Sequence, residues 1–177
     1  MLYFTVFAMH LDLAAWLNIV STGAIVGALI FTALQVRQGN VKRRDQAAVT
    51  LIQTTQSEGW TRAFELIGRL PEDAQVFDVD NAGAEVARAI IEFGVRLENV
   101  GYLVFRRNMD LETVDDLIGG VTLMFWSRAK NWSLRERKRS GNPKFLEWCE
   151  WLANRVAMRR EHLGHKPAEE RYADWCE

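Results

Sequence analysis

Between Asp12 and Arg37 the chain carries no charged residue, and from Leu13 to Leu34 only Asn18, Ser21, Thr22 and Thr32 interrupt the apolar run. At about 1.5 Å per residue this stretch spans roughly 33 Å as a helix, matching a hydrocarbon core of about 30 Å. A buried core helix apolar on all sides needs a far larger protein around it than 177 residues provide. A cleaved signal peptide calls for a basic leader, a shorter apolar core and a small-residue cleavage site. The first twelve residues hold no Lys or Arg. The expectation is an uncleaved transmembrane helix over residues 13–36, with Trp16 in the outer interfacial zone.

Positive charge follows the span, at Arg37, Lys42, Arg43 and Arg44. These residues predict contact with the lipid surface. By the positive-inside rule they place the N-terminus outside and the rest in the cytoplasm, as in a bacterial inner-membrane protein. Residues 1–12, apolar in MLYFTVFAM, then form a short extracytoplasmic or interfacial segment, and both Met1 and Met9 can serve as the start. Within the span Gly23 and Gly27 form GxxxG, with Ala24 and Ala28 as a parallel small pair. Small residues one turn apart allow close backbone approach, to a second copy or to a different membrane protein. Glycine and alanine are also common in membrane helices generally.

The remaining chain reads as all-α, an antiparallel helical bundle over residues 37–164 with a tail over 165–177. No run alternates with period two, and no internal repeat is visible. A first helix is expected from about Val41 to Leu70, ended by Pro71, with Val49, Ile52, Gln56, Ala63, Ile67 and Leu70 on one stripe. The acidic stretch PEDAQVFDVDNAG reads as a linker. Val86, Ile90, Phe93, Leu97, Val100 and Val104 recur at steps of 4, 3, 4, 3 and 4, one buried seam. Arg88, Glu92 and Arg96 form a solvated ladder opposite it. Gly94 and Gly101 share a side of that helix and predict a closely packed neighbour. Asp110 is expected to cap a third helix, whose seam Val114, Leu117, Val121 and Phe125 crosses a kink at Gly119-Gly120. Ser133-Leu-Arg-Glu136 has the pattern of a capping box and predicts a new helix start. Asn142-Pro143 predicts the start of the last helix, which carries Phe145, Trp148, Leu152 and Val156 toward Gly164.

Candidate chemistry is sparse. Cys149 and Cys176 show neither CxxC spacing nor a disulfide framework. His162, His165, Glu161 and Cys176 straddle a helix end and a tail, a poor match to a four-ligand zinc site. Asp115-Asp116 and Asp78/Asp80 are paired acids whose side chains point apart on a helix. No phosphate loop or nucleophile-base pair appears, so neither an enzyme nor a cofactor is expected. The basic run Arg135–Arg139, with Trp126 and Trp132 nearby, suits a solvated helix face or anionic lipid better than nucleic acid, for which no binding fold is recognisable. Trp148 and Trp151 lie about 60° apart on the last helix; one is expected in the core and the other at a docking surface.

The span followed by VKRRDQAAVTLI, LENVGYLVFRRNMD, GGVTLMFWSR and RERKRSGNPKFLEWCEWLA resembles an uncharacterised bacterial family with an N-terminal membrane helix and a domain of unknown function. The likeness rests on the order of Glu98, Gly101, Arg106, Arg107, Asp110, Trp126, Arg137, Asn142 and Pro143. It implies a membrane-anchored helical domain and assigns no catalytic residue. A Glu98 pair with an arginine of a neighbouring helix, Arg137 for example, is expected to fix helix register. The functional expectation is a non-enzymatic accessory subunit or scaffold of a membrane assembly, acting through protein–protein contacts. The alternative is a self-associating stress or defence effector whose oligomerised span perturbs the bilayer.

Overall fold

A computed structural model describes residues 15–35, 46, 49, 51–53, 57–164 and 166–176. Arg37, Lys42, Arg43, Arg44, His165 and the segment 1–12 lie outside the described residues, as do the two ends of the expected span. The chain divides into two units, residues 1–43 and 44–177.

In the first unit α1 (Ala15–Gln35) is a 21-residue helix, long and apolar enough to cross a membrane. Its polar interruptions need not be unsatisfied in lipid: the Thr32 hydroxyl donates to the Ala28 carbonyl at 2.8 Å, within the helix. A Cβ added at Gly23 or Gly27 would meet nothing within 4 Å among the described residues.

The second unit is helical throughout its regular structure, with no strand among the described residues. Its elements are α2 (Glu58–Gly68), α3 (Val76–Ala82), α4 (Ala84–Phe105), α5 (Leu111–Val114), a π turn (Asp115–Gly119), α6 (Gly120–Ser140), α7 (Glu147–His162) and α8 (Ala168–Arg171). α4 is the central element, packing on α2, α3, α6 and α7. All six residues of its expected seam are buried, as are Gly94 and Gly101. Trp60, Phe93 and Phe125 form a ring stack through the core, with centroids 4.1 Å and 5.2 Å apart.

Several boundaries differ from the sequence expectation, each for a local reason. The helix before Pro71 starts at Glu58, because Ser57 is extended (φ −76°, ψ 142°) and its hydroxyl accepts the Trp60 N–H. Before that start Leu51 is buried, while Val49 and Ile52 are exposed. The expected linker contains α3, opened by a Gln75–Asp78 capping box. Arg96 is not simply a rung of a solvated ladder; it is half-buried and donates to the Ser57 hydroxyl at 2.9 Å.

The irregularity expected at Gly119-Gly120 is a π turn beginning at Asp115. Widening one turn moves the inward face by a residue. The buried line is therefore Val114, Ile118, Thr122 and Phe125, while Leu117 is exposed. Ser133–Glu136 starts no helix: α6 passes through it, with Ser133 buried in the middle. The last helix begins at Glu147 rather than Pro143. Asn142 instead closes a turn, its side-chain oxygen accepting the Lys144 N–H at 3.1 Å and its carbonyl the Phe145 N–H at 3.3 Å. The tail carries α8, and its Arg171 pairs with Asp116.

Candidate functional site

The start of α7 gathers most of the residues that carried the family likeness. Leu146, its N-cap, sits in the left-handed region (φ 54°) and has no side chain able to cap the helix. A non-glycine residue there costs about 1–2 kcal/mol. Leu146 is held in place by burial: a Cβ on Gly94 would lie 2.7 Å from its Cδ1, so glycine makes the space that Leu146 fills. The cap comes from α4. The Glu98 Oε2 accepts the Cys149 N–H at 2.8 Å, with the Trp148 N–H also acting on this carboxylate. The Cys149 N–H, one of those that every helix start leaves open, is thus satisfied by an acid 51 positions away.

Burial raises the Glu98 pKa; the amide bonds oppose that shift without cancelling it. Glu98 does not pair directly with Arg137 as expected. Arg137 donates to the Phe145 carbonyl at 2.7 Å and the Leu146 carbonyl at 3.0 Å, and pairs with Glu150 at 2.6 Å. It fastens the turn from its carbonyl side while Glu98 fastens the helix from its amide side. Gly101 completes the joint, because a Cβ there would overlap the Trp148 carbonyl. Asn142 and Pro143 lie in the exposed turn that Arg137 holds; Trp126 is buried in the core. Arg107 is exposed at the end of α4 with φ 57°, and its N–H bonds to the Val104 carbonyl at 2.9 Å. Burial, with a contribution from Glu98, pushes the Cys149 thiol up, away from the reactive thiolate.

A second ionic centre forms at the π turn. The Asp115 side chain is 4 % exposed and pairs with Arg160 at 2.7 Å and Arg159 at 3.4 Å. Arg159 also reaches Glu112 at 3.1 Å. Gly119 leaves room for this group, since a Cβ would overlap the Asp115 carboxylate and lie 2.8 Å from Arg160 Nη2. Asp116 pairs with Arg171. A cleft of about 230 Å³ lies beside them, lined by Asp115, Asp116, Arg160, Leu163, Lys166, Pro167 and Arg171. Two of its three cations, Arg160 and Arg171, pair with its two acids, Asp115 and Asp116, so Lys166 leaves the cleft with one net positive charge.

The basic run of α6 is largely consumed inside the fold. Arg135 pairs with Asp80 and Glu136, Arg139 with Glu136, and Arg137 with Glu150. The three arginines of the run, Arg135, Arg137 and Arg139, thus each have a carboxylate partner within the fold. Hydrogen bonding to Arg139 above all holds the Glu136 carboxyl below its usual range, and Arg135 does the same for Asp80.

Trp148 and Trp151 are both half-buried, and Trp151 packs against the core cluster. They join Tyr102 and Phe105 of α4 in a surface cluster, with Phe105–Trp148 centroids 4.6 Å apart, Tyr102–Trp148 5.8 Å and Trp148–Trp151 6.1 Å. The stripe Ile91, Val95, Tyr102 and Phe105 is exposed, which the buried-seam pattern alone did not reveal. Its 4, 7 and 3 residue steps were a signal available in the sequence. Among the described residues no group of three or more His, Cys, Asp or Glu side chains could hold a metal.

A family described as a domain of unknown function (DUF4760) matches residues 18–156. The match takes in the whole Glu98–Arg137–α7 joint and Asp115, and stops before Arg159, Arg160 and Arg171. No curated protein and no solved structure matches the chain.

Proposed function

We propose, from the premise that this chain belongs to the DUF4760 family, whose function is unknown, that it is a membrane-anchored accessory subunit or scaffold. In this reading α1 crosses a bacterial inner membrane once, with its N-terminus outside. The helical unit is an antiparallel bundle in the cytoplasm. Its work is non-enzymatic and is done through protein–protein contacts, with lipids around α1 and nucleic acid playing no part.

The observation that carries this reading is α1 itself: 21 residues, apolar, and exposed along its length among the described residues. Such a surface is stable only against lipid or against other apolar helices. The helical unit supports the reading from the other side. Glu98, Asp115 and Glu136 are each held by amides or guanidinium groups that shape the fold, leaving them without free reach toward a substrate. The open side of Gly23 and Gly27 favours one further reading, a self-associating effector whose paired spans disturb the bilayer.

The test is the mass and composition of the particle extracted from native membranes in mild detergent. A different protein in fixed ratio supports the accessory subunit. A particle of several copies of this chain alone moves the effector to first place, and Gly23→Ile or Gly27→Ile should then break it into single copies. A chain washed from membranes by alkaline carbonate ends both readings.

A further inference from the structure

We infer that the aromatic face where α4 meets α7 seats the helical unit on an anionic lipid surface. Close contact at Gly101 brings α7 against α4 and leaves the rings of Tyr102, Phe105, Trp148 and Trp151 together at the surface. Phe105 is 51 % exposed and Tyr102 44 %, more than a core ring tolerates without cost. Two cations lie over these rings: Arg106 is 5.9 Å from the Tyr102 centroid and Arg155 5.4 Å from that of Trp151. The Arg106 guanidinium also reaches the Tyr102 hydroxyl at 3.4 Å. The neighbouring acids mostly have other partners. Glu98 is taken by the α7 amides and Glu150 by Arg137, which leaves Glu147 against the two arginines.

Rings with polar tips, edged by guanidinium groups, match the chemistry of a headgroup layer. Tyr and Trp favour the zone between hydrocarbon and water, and arginine meets lipid phosphate. Tyr, Trp and Arg also make protein hot spots. The decisive difference is proximity. If α1 is a span, a bilayer is always within reach at high effective concentration, so a weak surface affinity suffices and no second macromolecule is needed. The inference therefore rests on the reading of α1 as a span.

The experiment uses the full chain in lipid nanodiscs, of phosphatidylcholine alone or mixed with phosphatidylglycerol, with bromine on the acyl chains near the headgroups. Tryptophan quenching is compared between the wild type and Trp148→Phe/Trp151→Phe. The expected result is a quenched component that disappears in the double variant and is larger on the anionic discs. Arg106→Gln and Arg155→Gln should each lower the ratio of docked to undocked protein about five-fold on anionic discs. Thermal melts of each variant verify folding, and Arg155→Gln changes only an exposed side chain. Equal quenching in the wild type and double variant assigns the quenching to other tryptophans, Trp16 of α1 or the exposed Trp175, and overturns the inference, while the span reading stands. Equal ring quenching on both kinds of disc overturns the anionic preference. A chain that does not enter the discs removes the span reading and this inference with it.

Discussion

Glu98 and Asp115 are both acids anchored inside the helical unit, yet they are held by opposite means. Glu98 is partly buried and faces backbone N–H groups at the start of α7. Asp115 is almost fully enclosed and faces two guanidinium groups. Amide dipoles offset only part of the cost of burying a carboxylate, so Glu98 resists ionisation. At the π turn full positive charges do the offsetting, and removal of the acid would strand them. The comparison also separates two kinds of glycine. Gly101 faces the backbone of Trp148, which cannot move without moving α7; Gly119 faces the end of a carboxylate side chain and an arginine tip.

The largest expected effect lies at the cationic centre. Asp115→Ala strips Arg160 of its carboxylate and leaves Arg159 with Glu112 alone, and should cost about 3 kcal/mol in denaturant unfolding. Asp115→Asn recovering most of that loss would show that hydrogen bonding matters there more than charge. Next comes Gly101→Ala, for which about 3 kcal/mol is expected because the overlap is with backbone. Gly119→Ala should cost less, since a side chain can swing aside; the reverse order would break the distinction between the two glycines.

Glu98→Ala should cost about 1–2 kcal/mol, the scale of a lost helix cap, with amide exchange accelerated at Trp148 and Cys149. The sharper probe is Glu98→Gln against pH. Because folding raises the Glu98 pKa above its ordinary 4.5, ionisation of Glu98 works against the fold. Its favourable contribution is complete below 4.5 and is lost as pH rises through the raised value. The wild type should therefore lose stability relative to Glu98→Gln between acid and neutral pH; parallel curves would mean that the amides fully offset burial. Glu136, shifted the other way by Arg139 and Arg135, contributes in the opposite sense, with stability lost as pH falls through its lowered pKa. The smallest effect is expected for Arg62→Ala, whose pair with Glu85 is 70 % exposed on both sides, within about 0.5 kcal/mol of the wild type.

These comparisons mark how far reading along the chain reaches. The α4 seam and the close approach at Gly94 and Gly101 were legible because each is a property of one helix: a period, or a missing Cβ on a buried side. Glu98 and Arg137 were visible as residues of interest, but not as partners of the α7 amides and the Phe145–Leu146 carbonyls. Those contacts depend on where α7 begins, and its start was misplaced by four residues. Local signals misled where burial overrode them. The Ser133–Glu136 pattern of a cap sits in mid-helix because Ser133 faces the core and Glu136 faces Arg135 and Arg139.

By itself, then, the sequence determined an all-helical chain of the DUF4760 family, with one long apolar helix ahead of a helical unit. Composition and helical period act over a few turns and need no knowledge of neighbours. Only the tertiary structure decided that Asp115 is buried at a π turn, that Glu98 caps a helix 51 positions away, and that four rings gather at the surface. Charges and rings take their roles from what lies opposite them in space, and packing alone sets that.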